Sequence, residues 1–176
     1  AVLVTGGSSP IGRAIARALS VDRTVILSGR DDGKIARAIA ECRSPGEQIG
    51  WRCDLSDPDR VAGELAALLE ERHLRVGAFV HCAGVFRPMA VRALPLPMIR
   101  EALDVHVVAA VEIVKTLLQT RVNERALSSI VFVSSVASQF GARGLSAYCA
   151  SKGALDALMR ALAVELAPNV RVNSVL

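Results

Sequence analysis

Ala1-Val-Leu-Val-Thr-Gly-Gly-Ser-Ser-Pro-Ile-Gly12 opens the chain. Its first five residues form an apolar, β-branched run of the length of a buried strand. Gly and Ser come next, and Pro10 then leads into a helical pattern that continues to Leu19. A strand that turns through glycines into a helix is the first half of a βαβ unit. Glycines at positions 6 and 12 permit a tight turn and let the backbone approach a pyrophosphate, which then meets helix-terminal N–H groups. Gly6, Ser8, Ser9, Pro10, Ile11 and Gly12 are therefore candidate phosphate-turn residues. The same turn also serves as an ordinary strand-to-helix connection, so its meaning depends on the rest of the chain.

Beyond Leu19, strands and helices alternate. Thr24–Ser28 reads as a second strand and 31–42 as a second helix. Gln48–Cys53 reads as a third strand, and Asp57 as an N-cap ahead of Pro58 in a helix running to Arg72. Val76–Cys82 is a fourth strand. The stretch 88–97 holds three prolines and reads as a long, candidate functional loop. A helix is expected over 98–120, a fifth strand over Ser129–Ser134, a helix over 146–167 and a sixth strand over Val170–Val175. Strand–helix alternation with short connections implies right-handed crossovers and a doubly wound parallel sheet. The expected fold class is α/β, one Rossmann-type domain over 1–176 with helices on both faces.

Composition agrees with that fold. Apolar residues make up 52% of the chain, but only one Trp, one Tyr and four Phe are aromatic. Ala, Val, Leu and Ile must build an interior of the kind found where a parallel sheet is covered on both faces. No apolar run reaches the roughly 18 residues that span a bilayer. The strand-like start carries no basic leader, which points to the cytoplasm. Cys42, Cys53, Cys82 and Cys149 form no CxxC, and with His73, His81 and His106 they show no zinc spacing. The net charge of +4 is spread along the chain without a basic stripe, so nucleic acid is not an expected partner.

Two further features carry chemistry. The second strand ends Ser28-Gly29-Arg30, where an acidic residue would bind a ribose 2′-hydroxyl. Arg30, with Arg13 just inside the first helix, suits a 2′-phosphate and so NADP rather than NAD. Alternatively, Arg30 is a surface residue and Asp31 or Asp32 takes the ribose. Tyr148 and Lys152, four residues apart on one helix, project from one face. An ammonium beside a phenol favours the phenolate, so the tyrosine can exchange a proton with a substrate oxygen. The plainer alternative is a core tyrosine beside a solvated lysine.

Taken in order, these motifs resemble the short-chain dehydrogenase/reductases over essentially the whole chain. The Ser-Ala-Tyr-x-Ala-Ser-Lys run is similar to that of 3-oxoacyl-carrier-protein reductases. The resemblance implies catalytic roles for Ser135, Tyr148 and Lys152, with His106 at the position where the family usually has an asparagine. It also implies cofactor contacts from Asp54 and Leu55 after the third strand. Cys82, Ala83 and Gly84 are placed beside the cofactor after the fourth strand, and Tyr148 and Lys152 at its nicotinamide end. The implied activity is NADPH-dependent interconversion of a carbonyl and an alcohol, with 3-oxoacyl thioesters among the substrates it suggests. A catalytically silent, nucleotide-binding regulator or scaffold of the same fold is the competing reading. The family further implies homodimers or homotetramers paired through helices 98–120 and 147–167. It also implies a seventh strand beyond the six read here.

The departures set their own expectations. Pro10 in place of a turn glycine is tolerated at the first helical position. His81 and Cys82 replace two asparagines, so the bonds that fix that turn are expected from elsewhere. His106, aligned with Leu103 and Ala110 on an inward face, can donate, accept and titrate near neutrality. The alternative is a buried neutral histidine satisfied by a helix carbonyl.

Overall fold

The structure is a computed structural model that describes residues 1–176. Six parallel strands form one sheet in the order β3-β2-β1-β4-β5-β6. They are β1 (Val2–Thr5), β2 (Val25–Gly29), β3 (Ile49–Arg52), β4 (Ala78–His81), β5 (Ser129–Val133) and β6 (Arg171–Val175). The helices are α1 (Pro10–Leu19), α2 (Asp32–Ala40), α3 (Pro58–Glu71), α4 (Leu96–Leu103), α5 (Ala109–Leu118), α6 (Thr120–Asn123) and α7 (Ser146–Glu165). The doubly wound α/β expectation holds.

Strand periodicity explains the two layers. In β1, Val2 and Val4 face a core shared with Val25 and Leu27 of β2 and with Ala16 of α1 and Ala38 of α2. Leu3 between them faces the other core, with Ile26, Phe79, Ile130 and Phe132 and the buried faces of α3, α5 and α7. Each fully buried Leu, Ile or Phe here contributes on the order of 1.5–3 kcal/mol. Val175 in the edge strand β6 is exposed.

Sheet order places the site. The chain runs outward from β1 to β3, then returns to the other side of β1 at β4, so the strand order reverses between β1 and β4. The crevice beyond the carboxyl ends of strands at such a reversal is where ligands bind in open α/β sheets.

Several expectations need correction. The helix expected over 98–120 begins at Leu96 and is interrupted by a π turn at Asp104–Val108. There Ala109 N–H bonds the Asp104 carbonyl, five residues back, instead of that of Val105. The Val105 carbonyl is taken instead by His81 Nε2 at 3.1 Å. A side chain inserted into the helical ladder is a recognised cause of such a bulge. The bulge also turns Leu103 outward, 37% exposed, while His106 and Ala110 are fully buried, so the expected shared face breaks at Leu103. Asp57 stands at the N-cap of α3 without a side-chain bond. Asp54 instead accepts from Ser56 N–H and its hydroxyl. The 88–97 loop contains a 3-10 turn at Val91–Ala93 and is tied to the segment before α7 by Met89 N–H donating to the Gly144 carbonyl at 2.8 Å.

Candidate active site

The turn after β1 is built on two close approaches. Gly6 adopts φ +64°, and a Cβ there would lie 2.7 Å from the Ala83 backbone. A Cβ on Gly12 would lie 2.1 Å from the Gly6 carbonyl oxygen. Neither place admits a side chain. Ser9 caps α1 by accepting from Gly12 N–H at 3.0 Å, and Pro10 occupies the first helical position as expected.

This turn borders a cleft of about 340 Å³. The expected residues Gly6, Ser8, Ser9, Pro10, Arg30, Asp54, Leu55, Cys82, Ala83 and Gly84 all line it. Ile11 and Gly12 do not: Ile11 is largely exposed, and Gly12 is buried against the Gly6 carbonyl. Tyr148 and Lys152 lie outside the lining as well. Gly84 joins the two regions, since a Cβ on it would meet His106 Nε2 at 2.9 Å and Lys152 Nζ at 3.8 Å.

At the other end of the cleft, Arg30 is joined by Lys34, one helical turn further on. The motifs give Lys34 no role, although its spacing from Arg30 carries the signal. Arg13, a candidate from the sequence, pairs with Glu41 at 2.9 Å and does not reach the cleft. The acidic alternatives are engaged elsewhere. Asp31 caps α2 by accepting from Lys34 N–H at 2.8 Å, and Asp32 lies 3.8 Å from Arg52. Asp54 is partly buried, which raises its pKa. The two Ser56 bonds and the Arg30 charge outweigh this and hold the carboxyl below its ordinary value. Ser28, Gly29, Cys53, Val85 and Val105 complete the lining. No local pattern marks Val105, which the π turn delivers from a distant helix.

Lys152 is buried on α7, 4% exposed, and donates to the Val133 carbonyl at 2.8 Å. Burial lowers its pKa, against the opposing effects of Cys82 and Asp156. Its ammonium stands 5.9 Å from the centre of the Tyr148 ring. That ring is packed edge-on against Phe86 at 5.0 Å and His106 at 5.7 Å. Ser135 begins the 3-10 turn after β5 and accepts from Ala137 N–H at 3.2 Å, leaving its hydroxyl proton and a lone pair for a ligand.

The two unexpected histidines prove to be struts. The Val105 carbonyl can only accept, so His81 carries its proton on Nε2. Its Nδ1 then accepts from the Thr5 hydroxyl at 2.8 Å, and Ala83 N–H donates to that hydroxyl at 3.4 Å. The bonds to this turn thus come from elsewhere, as expected: the Thr5 hydroxyl, itself held by His81, accepts from Ala83 N–H, and His106 accepts from Val85 N–H. His106 Nε2 accepts from Val85 N–H at 2.9 Å, so its proton sits on Nδ1, 2.7 Å from Ser151 Oγ. Ser151 in turn donates to the Tyr148 carbonyl at 2.9 Å. Burial, and after it the Lys152 charge, pushes both histidines down to about 3. Of the two readings of His106, the geometry fits the buried histidine, held by a backbone N–H and a serine hydroxyl rather than by a helix carbonyl.

No group of three or more His, Cys, Asp or Glu is placed to hold a metal ion, and no helix is long and apolar enough to cross a membrane.

Known proteins resemble this chain in sequence and fold. The chain is 31% identical to L-xylulose reductase of Bos taurus over 98% of its own length and 68% of that protein. It is 26% identical to 2-dehydro-3-deoxy-D-gluconate 5-dehydrogenase of Formosa agariphila, over 98% of the chain and 66% of that protein. A solved short-chain dehydrogenase from Streptomyces avermitilis superposes with a TM-score of 0.84 at 32% identity, over 98% of this chain and 62% of that one. The chain spans about two thirds of the length of such relatives. The family description "short chain dehydrogenase" matches residues 1–176 without interruption. A parallel sheet in this strand order, a glycine turn at its first crossover and this breadth of similarity have one explanation: the chain belongs to the short-chain dehydrogenases, a family of NAD(P)-dependent oxidoreductases.

Proposed function

We propose that the protein is an NADPH-dependent carbonyl reductase. The observation that carries the cofactor preference is the pairing of Arg30 and Lys34 in one cleft wall, with Asp31 and Asp32 engaged elsewhere. Two cations lining the cleft beside the single carboxylate of Asp54, which Ser56 engages, suit a 2′-phosphate better than a bare ribose hydroxyl. The glycine turn suits a pyrophosphate, because Gly6, Ser8, Ser9 and Pro10 line the cleft at the N-terminal end of α1. When bound, the cofactor supplies the hydride. The chain's own part is proton management at the substrate oxygen. Tyr148 would give the proton, Ser135 would hold the oxygen, and Lys152 stands buried beside the Tyr148 ring.

Within this reading a 3-oxoacyl thioester is one proposed substrate. A ketose is the other, in keeping with the name of the L-xylulose reductase. Consumption of NADPH by the full-length protein with acetoacetyl thioester, L-xylulose and a panel of simple ketones tests both. No turnover with any of them, alongside tight NADPH binding, would favour a silent nucleotide-binding regulator. His106, which has no free ring nitrogen where the family usually has an asparagine, is the observation on that side.

Exposed Leu103, Val108 and Leu118 on the α4–α5 segment and Val164 on α7 support pairing through these helices. Light scattering of the full-length protein should give a dimer or tetramer, and a monomer alone would exclude the pairing.

A further inference from the structure

We infer that His106 acts as a neutral positioning residue that locks the cofactor-cleft wall to the catalytic tyrosine, and that it takes no part in moving protons. The inference rests on the reductase reading and adds the means by which Tyr148 is held in place.

Both ring nitrogens are committed within the protein. Val85, whose N–H binds Nε2, directly follows Gly84 and itself lines the cleft. Ser151, which accepts from Nδ1–H, lies one residue before Lys152 and donates its hydroxyl hydrogen bond to the Tyr148 carbonyl. The chain of bonds thus runs from the cleft wall through the imidazole and a hydroxyl to the backbone of Tyr148. The same imidazole also meets the tyrosine ring edge-on at 5.7 Å.

Two more features hold the strut in place. His106 is fully buried in the π turn, and His81 secures that turn by donating to the Val105 carbonyl. Gly84 leaves the imidazole its space, since a Cβ there would stand 2.9 Å from Nε2. A proton relay needs a nitrogen that can both gain and lose a proton to a mobile partner. His106 has none, because protonation of Nε2 would set two donors, its own N–H and that of Val85, against each other.

The full-length protein provides two tests. Nitrogen–proton correlation spectra of the imidazoles between pH 5 and pH 8 should show His106 with Nδ1 protonated and Nε2 bare at every pH. The opposite tautomer, or a His106 signal that titrates in this range, overturns the inference. The second test is kinetic. Ser151→Ala and His106→Asn should each lower kcat about tenfold, the scale expected of a modest misplacement of a reacting group. The Michaelis constant for NADPH should change little, and Ser151→Thr, which keeps the hydroxyl, should restore kcat. The double variant should be no worse than the weaker single, because both break one chain of bonds. Unchanged kcat in either single variant, or multiplying losses in the double, contradicts the inference. If a variant fails to fold, the tautomer measurement decides. A wild-type protein without turnover would remove the reductase reading instead, and the spectra would still report on the strut.

Discussion

His81 donates from Nε2 to the Val105 carbonyl at 3.1 Å, in place of the helical bond that Ala109 N–H would otherwise make. A strand residue thereby reshapes a helix 24 positions later and brings both Val105 and His106 to the site. The cost is that two histidines must stay neutral inside the protein.

That cost should be visible in acid. In the unfolded chain each histidine takes up a proton near its ordinary value of 6.5. In the fold, burial and the Lys152 charge hold both near 3. Between those limits the unfolded state binds more protons, so stability is complete above about pH 6.5 and falls as the pH drops. Between pH 7 and pH 5 the pair should cost on the order of 4 kcal/mol. Urea unfolding across this range should show the loss, and His81→Gln should roughly halve its steepness. A pH-independent midpoint would contradict the buried, neutral assignment.

Arg30 and Lys34 should act on one cofactor only. Loss of either charge-assisted contact is expected to weaken NADPH binding about tenfold, or about 1.4 kcal/mol, with NADH affinity unchanged. Calorimetric titration of Arg30→Ala and Lys34→Ala with both cofactors separates the cases. Equal weakening toward NADH would place the two cations away from the 2′ position.

The glycine turn offers a structural check. A methyl group at position 12 would sit 2.1 Å from the Gly6 carbonyl oxygen, so the turn or the start of α1 must move. Gly12→Ala should lose several kcal/mol of stability or all NADPH binding. Gly63→Ala, inside α3 where a Cβ would meet nothing, is the control: it should keep normal NADPH affinity and gain up to about 1 kcal/mol of stability. A stable Gly12→Ala protein with normal affinity would overturn this view of the turn.

Much of this was legible in the sequence. The apolar runs and their spacing carry the six strands and the doubly wound order, and Pro10 at the first turn of α1 behaves as its chemistry requires. Nearly all the expected cleft residues belong to turns at strand ends, where sequence neighbours are also spatial neighbours. What was hidden depends on contacts between distant segments. The π turn arises from a bond between β4 and the α4–α5 segment, and no local pattern encodes it. Arg13 has the charge and the position for a phosphate, but Glu41, 28 residues on, claims it. Lys34 lies in plain view one turn beyond Arg30, but its helix has to be placed against the cleft before it counts.

The proposed chemistry turns on Tyr148, which exchanges the proton in carbonyl reduction beside the buried ammonium of Lys152. The decisive experiment follows NADPH oxidation by the full-length protein and its Tyr148→Phe variant, with whichever carbonyl substrate the wild type turns over best. The variant should keep its fold and its NADPH affinity, and should lose at least about a hundredfold in kcat. A Tyr148→Phe protein that reduces the same substrate at the wild-type rate would remove the tyrosine from the reaction.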